Sequence, residues 1–140
     1  MKRSDFIIAA DSDRAKFIVR PWEEIPLTEL VPGSLSHLVR GKGMLISFLT
    51  MKAGSIFDLH SHPQEQIMIV LEGYCDEIIE NKIYRVTPGD VIHLPSNIPH
   101  GAFIGDVDCK AIDIFVPARE DYIEKYKAQH PGAKIVFVEV

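Results

Sequence analysis

Apolar residues recur along the chain in short runs, many of them alternating with polar ones, and turn-forming residues separate the runs. They occupy Lys16–Arg20, Met44–Met51, Glu65–Leu71, Cys75–Ile79, Ile83–Val86, Val91–Leu94, Lys110–Val116 and Ala133–Val140. Between them stand Pro32-Gly33, Gly41-Lys42-Gly43, Ala53-Gly54, Glu72-Gly73, Glu80-Asn81-Lys82, Pro88-Gly89 and Pro95-Ser96-Asn97. A period of two puts alternate side chains on opposite faces of a strand, and Gly/Pro punctuation at this spacing predicts an antiparallel sandwich or barrel. One segment reads as helix, Arg119–Gln129, which is rich in Glu, Lys, Tyr and Ala and is stopped by Pro131-Gly132. The expectation is one all-β domain over residues 1–140, with a barrel core at about 40–117, a helix at 119–129 and a last strand at 133–140. That strand needs an edge to pair with, either in the barrel or in a second subunit, so a homodimer is expected.

Composition narrows the partners. The chain has 140 residues, with 15 Lys plus Arg against 20 Asp plus Glu, a formal charge of −5. An acidic balance without a Lys/Arg cluster argues against nucleic acid and against an anionic membrane surface. Near the start, Phe6-Ile7-Ile8-Ala9-Ala10 is too short for the apolar core of a signal peptide, and no run approaches the length of a membrane span, so a cytoplasmic protein is expected. Cys75 and Cys109 form no metal-type pair and are expected to be reduced and buried.

The chemistry concentrates around the histidines. In an extended chain His60 and His62 point to one side about 6.6 Å apart, close enough to converge on one ion. The same parity carries Gln66 and Met68 to that side and leaves Glu65 on the other, which favours Gln66 as a third ligand over Glu65. His100, after the rigid turn Pro95-Ser96-Asn97-Ile98-Pro99, is suited to complete the set. Near the end of the chain, Cys109, Ala111, Asp113 and Phe115 share one strand face and Ile112, Ile114 and Val116 the other. A mid-strand carboxylate among apolar neighbours is costly unless it is paired or lies in a polar cavity, so Asp113 is either a structural group or a general acid/base in the barrel lumen. Arg119 can clamp a carboxylate bidentately, or pair with Glu120 or Asp121.

Two motifs carry a resemblance. Gly54 through His60-Ser61-His62 and Gln66 to Gly73, and Gly89 through Pro95, Asn97 and His100, resemble the first and second motifs of the cupin superfamily in order and spacing. The resemblance implies a single-domain cupin jelly-roll β-barrel with one short C-terminal helix. Gln66 stands where the motif has its metal-binding Glu, Asn97 where it has Gly, and Ile104 where it has Asn. Asn tolerates the left-handed backbone that Gly would supply. A neutral Gln leaves a bound dication with its full charge, which strengthens its Lewis acidity toward an anion and weakens its binding.

More narrowly, His60 to Gln66, Leu71 to Gly73 and Asp113 to Tyr122 resemble the small cupins of pectin and alginate breakdown that linearise 4,5-unsaturated monouronates. This resemblance implies His60, His62, Gln66 and His100 as ligands of one divalent ion (Ni, Zn, Mn, Fe or Co), Asp113 moving a proton, Phe115 packing on the sugar and Arg119 holding its carboxylate. It makes the partner a small anionic substrate. Two other activities fit a cupin: an oxygen-using or C–C cleaving enzyme, whose prior a Gln ligand lowers, and a non-enzymatic sugar-binding module.

Overall fold

The computed structural model describes residues 1–137. Ten strands form two antiparallel sheets. The first sheet contains β1 (Thr28–Val31), β2 (Ser34–Arg40), β3 (Leu45–Met51), β5 (Glu65–Glu72), β8 (Val91–Leu94) and β10 (Cys109–Val116). Its spatial order is β1-β2-β3-β10-β5-β8. The second contains β4 (Ile56–His60), β6 (Cys75–Ile79), β7 (Lys82–Val86) and β9 (His100–Ile104), in the order β4-β9-β6-β7. The long-range pairings β3–β10, β5–β10 and β4–β9 complete the two sheets, which pack face to face as a jelly roll.

Alternation explains which residues fill the space between the sheets. Leu49, Met51, Met68, Val70, Ile92, Leu94 and Ala111 from the first sheet meet Cys75, Val86, Ala102 and Ile104 from the second in one buried cluster. A one-residue slip in any of these strands would turn its lumen face to solvent, so register and core specify each other. After two single-turn helices, α1 (Asp11–Arg14) and α2 (Pro21–Glu24), the third helix, α3 (Glu120–Gln129), is seated at the end of the first sheet by a second cluster with Leu38, Leu45, Phe115, Ile123 and Tyr126. The helix begins one residue later than its composition predicts, with Arg119 as its N-cap residue. Cys75 and Cys109 are free and fully buried at the closed end of the barrel, as expected.

Three expectations about elements need correction. Strands begin at Thr28 and not near residue 40, because β1 and β2 complete the edge of the first sheet. Their lumen-facing positions include Thr28, Ser34 and Ser36, with Ser36 and Ser47 sharing a buried 2.6 Å hydrogen bond, so a search for apolar alternation passes over them. Lys16–Arg20 is not a strand: a helical turn at Asp11–Arg14 runs on into turns over residues 15–17, and Phe17 and Ile18 are exposed with no strand beside them. Residues 133–137 form no strand; Ile135 and Val136 pack on the cluster under α3, and the Tyr126 hydroxyl donates to the Lys134 carbonyl. The remainder of the expected last strand, 138–140, lies outside the described residues. No described helix is long and apolar enough to cross a membrane.

Candidate metal centre

β4 and β9 pair with His60 opposite His100, and the turn after β4 brings His62 back beside them. The backbone N–H of Asn97, which has φ +65°, donates to the His62 carbonyl at 2.8 Å and ties that turn to the loop before His100. The three rings cluster with centroids 4.3 Å (His60–His100), 4.9 Å (His62–His100) and 6.0 Å (His60–His62) apart. One ring nitrogen from each lies within 4.8 Å of the others. Nitrogen ligands about 2.1 Å from a single ion are roughly 3–4 Å apart, so a small closure of the rings suffices to hold one.

Proton positions follow from the hydrogen bonds. Nδ1 of His60 faces the Asp58 carbonyl at 2.8 Å, Nδ1 of His62 the Gln64 carbonyl at 3.0 Å and Nδ1 of His100 the Ile98 carbonyl at 2.8 Å. A carbonyl oxygen only accepts, so each Nδ1 carries a proton, and the tautomer these bonds select presents a lone pair on Nε2, the form a metal requires. Burial pushes His100 down to about 4 and, aided by the nearby Arg119 charge, lowers His62, so both rings are neutral at physiological pH.

Gln66 stands on the lumen face of β5, 6% exposed, while Glu65 points outward and accepts from or pairs with His93 at 2.7 Å. The Gln66 amide donates through Nε2 to an Asp113 oxygen at 2.9 Å, which turns its Oε1 toward His62 Nε2 at 3.1 Å. Two acceptors then face each other across 3.1 Å. A cation between them satisfies both, so the donor set of this structure fits a metal ion. His60, His62 and His100 can hold it.

Below the histidines lies a cavity of about 520 Å³ lined by residues of both sheets and of α3. Asp113 reaches it from β10, as its strand parity predicts, and burial pushes its carboxyl up to about 7 against the opposing pull of the Gln66 amide and Arg119. Phe115 is 1% exposed; its ring packs edge-on against His62 (5.7 Å) and Tyr122 (5.6 Å) and carries the Arg119 guanidinium 5.2 Å from its centroid. Arg119 is buried, stacks 3.7 Å over the Tyr122 ring, and donates from Nε and Nη2 to the two Asp121 oxygens at 3.2 and 2.7 Å. Of its alternative partners the guanidinium therefore holds Asp121, while Glu120 pairs with Arg40 at 2.6 Å.

Sequence reasoning misses several polar residues of this cavity, among them Ser34, Asp58, Lys125 and the buried acid Glu77. Glu77, on the lumen face of β6, is 4% exposed and lines the cavity. The signal is present in the alternation Cys75, Glu77, Ile79, which places an acid on the same face as a cysteine expected to be buried.

Comparison with known proteins places this architecture. Residues 47–115 match the cupin domain family model. An RmlC-like cupin from Shewanella frigidimarina superposes with a TM-score of 0.66 at 25% identity, covering 71% of this chain and 90% of that one. KdgF from Halomonas sp. gives 0.66 at 26% identity over 71% and 94%, and the DMSP lyase DddQ from Ruegeria pomeroyi 0.52 at 27% over 54% and 39%. No curated protein matches the chain in sequence. The motifs around His60 and His100, the matched residues and the two-sheet barrel agree: the chain has the cupin jelly-roll fold, and residues 47–115 are similar to the cupin domain family.

Proposed function

We propose that this protein is a metal-dependent isomerase that linearises a 4,5-unsaturated uronate or a closely related keto sugar acid. The observation that carries the reading is the convergence of three imidazoles, a carboxyl poised near neutrality and a buried guanidinium on one cavity. The resemblance of His60–Gln66 and Asp113–Tyr122 to uronate-linearising cupins points the same way.

The reaction needs a base, an anion holder and protection from water. A proton leaves the anomeric hydroxyl, the ring C–O bond breaks, and the released enol takes a proton at carbon to become a ketone, with no net redox change. Asp113 has the position and proton affinity to take and return a proton. Arg119 offers Nη1, which is free of Asp121, to the substrate carboxylate. Phe115 and Tyr122 hold the guanidinium in place. A divalent ion held by His60, His62, His100 and Gln66 supplies Lewis acidity toward a substrate oxygen. The expected partner is a small monoanion, and the protein acts as a homodimer in the cytoplasm.

Loss of the unsaturated uronate's ultraviolet absorbance, measured on purified protein before and after chelation and after metal is restored, tests the reading. Turnover that vanishes on chelation and returns with metal, without oxygen uptake, is expected. Oxygen consumption points instead to a dioxygenase, and saturable binding without turnover to a binding module. Gln66→Glu adds one negative charge to the ligand set and is expected to tighten metal binding by about tenfold or more. Competition with a metal indicator reads this, and equal affinity in the two proteins rules out Gln66 as a ligand whose charge matters.

A further inference from the structure

Strand register puts Glu77 at a defined depth. On the second sheet Ile79 pairs with His100, Glu77 with Ala102 and Cys75 with Ile104. On the first, Phe115 pairs with Gln66, Asp113 with Met68 and Ala111 with Val70. Counting inward from the histidines by lumen-facing positions, Glu77 and Asp113 occupy the same layer on opposite walls, one layer above the buried Cys75 and two above the buried Cys109. The cations of the cavity, Arg119 and Lys125, belong to the α3 side. Of the cavity's four carboxyls, Asp121 pairs with Arg119 on the helix side and Asp58 lies on β4, which leaves Glu77 and Asp113 facing each other at the floor, away from both cations.

Glu77 is not a structural ion pair. Among the described residues it makes no salt bridge, and its side-chain hydrogen-bond neighbour is the Cys75 thiol at 3.9 Å. With a weak thiol as its side-chain partner and the cavity in front of it, the carboxyl has hydrogen-bonding capacity that a ligand can use.

We propose that Glu77 is a specificity-determining contact: a neutral carboxylic acid that hydrogen-bonds a hydroxyl of the bound sugar acid from the wall opposite Asp113, and that excludes ligands with a second carboxylate at that end. The proposal rests on the sugar-acid reading of the site and deepens it. The substrate's single carboxylate lies at Arg119 and its hydroxyl-bearing end on the floor. Burial, with Asp113 and Cys109 nearby, pushes Glu77 up to about 8, so the acid is in its donating form at neutral pH. A second carboxylate on the ligand would meet two acidic groups with no cation between them. Sites that pair a substrate hydroxyl with a buried polar group discriminate strongly against ligands that cannot complete the pair.

The test is binding, not turnover. Calorimetry at pH 7 on metal-loaded protein compares D-galacturonate, a monoanion, with galactarate, its dicarboxylate counterpart, in wild type, Glu77→Gln and Glu77→Met. Wild type is expected to prefer galacturonate by about tenfold or more, Glu77→Gln to stay within about threefold of it, and Glu77→Met to lose about tenfold or more. Methionine matches the volume of glutamate, so the barrel should stay filled. Unchanged binding in Glu77→Met, a loss in Glu77→Gln equal to that in Glu77→Met, or equal wild-type affinity for the two ligands overturns the proposal. So does absence of wild-type binding. The wild-type comparison and Glu77→Gln decide the matter even if Glu77→Met does not fold. Galacturonate binding that follows this pattern in a protein with no isomerase activity upholds the contact while the reaction reading fails; turnover with binding insensitive to Glu77 does the reverse.

Discussion

Asp113→Asn is expected to lower turnover of the unsaturated uronate by about 10²–10⁴-fold while leaving bound metal unchanged, because general acid–base groups contribute factors of that size. Asparagine has the same shape and keeps an oxygen for the Gln66 amide, which donates to Asp113 at 2.9 Å, so the line His62–Gln66–Asp113 persists in the variant. What it cannot do is exchange a proton. The wild-type carboxyl is suited to that exchange because burial pushes it up to about 7, only partly offset by the Gln66 hydrogen bond and the Arg119 charge. Initial rates from ultraviolet absorbance, with metal content by elemental analysis, check both halves of the expectation. Retained turnover removes Asp113 from the chemistry; lost metal recasts it as a support for the ligand set.

The placement of Asp113 in the lumen beside, but apart from, the histidine cluster is legible in the sequence because both depend on parity. A strand with Cys109, Ala111, Asp113 and Phe115 on one face fixes Asp113 in the lumen once the other residues are known to be apolar. The same rule sends Gln66 inward and Glu65 out to His93. Parity fails where polar residues satisfy one another inside. Ser36 and Ser47 bond across β2 and β3, so the inward face of β2 lacks the apolar signal and the strand escapes notice, although it pairs along the full length of β3. It fails in the opposite sense at Lys16–Arg20 and residues 133–137, where apolar residues alternate but no strand edge stands beside them. Pairing is a property of the neighbour, and a single run does not encode it. Arg119 shows a third kind of gap: its sequence neighbours offer two acids, and only the start of α3 at Glu120 decides that Asp121 holds it.

Glu77 has a consequence for stability that can be measured without any ligand. An unfolded chain ionises this glutamate near pH 4.5, whereas the folded barrel holds its proton up to about pH 8. A folded-state value above the unfolded one for an acid means that the native state binds more protons, so native stability falls as pH rises through the interval between them. Each unit costs roughly 1.4 kcal/mol, or about 3–5 kcal/mol across the whole window. Below pH 4.5 both states are protonated and the cost vanishes; above pH 8 both are ionised and it stays constant. Glu77→Gln, which removes the ionisation and keeps the shape, is therefore expected to exceed wild type in stability at pH 8 and to lose that advantage progressively toward pH 4.5. Urea denaturation of the two proteins at intervals over this range reads the difference, and a gap independent of pH overturns the assignment. Because the Asp113 charge is the second cause of the Glu77 shift after burial, the same comparison made in an Asp113→Asn background should narrow the window from its upper end. Only two carboxyls facing each other across one lumen produce that coupling; a Glu77 isolated from Asp113 leaves the window where it was.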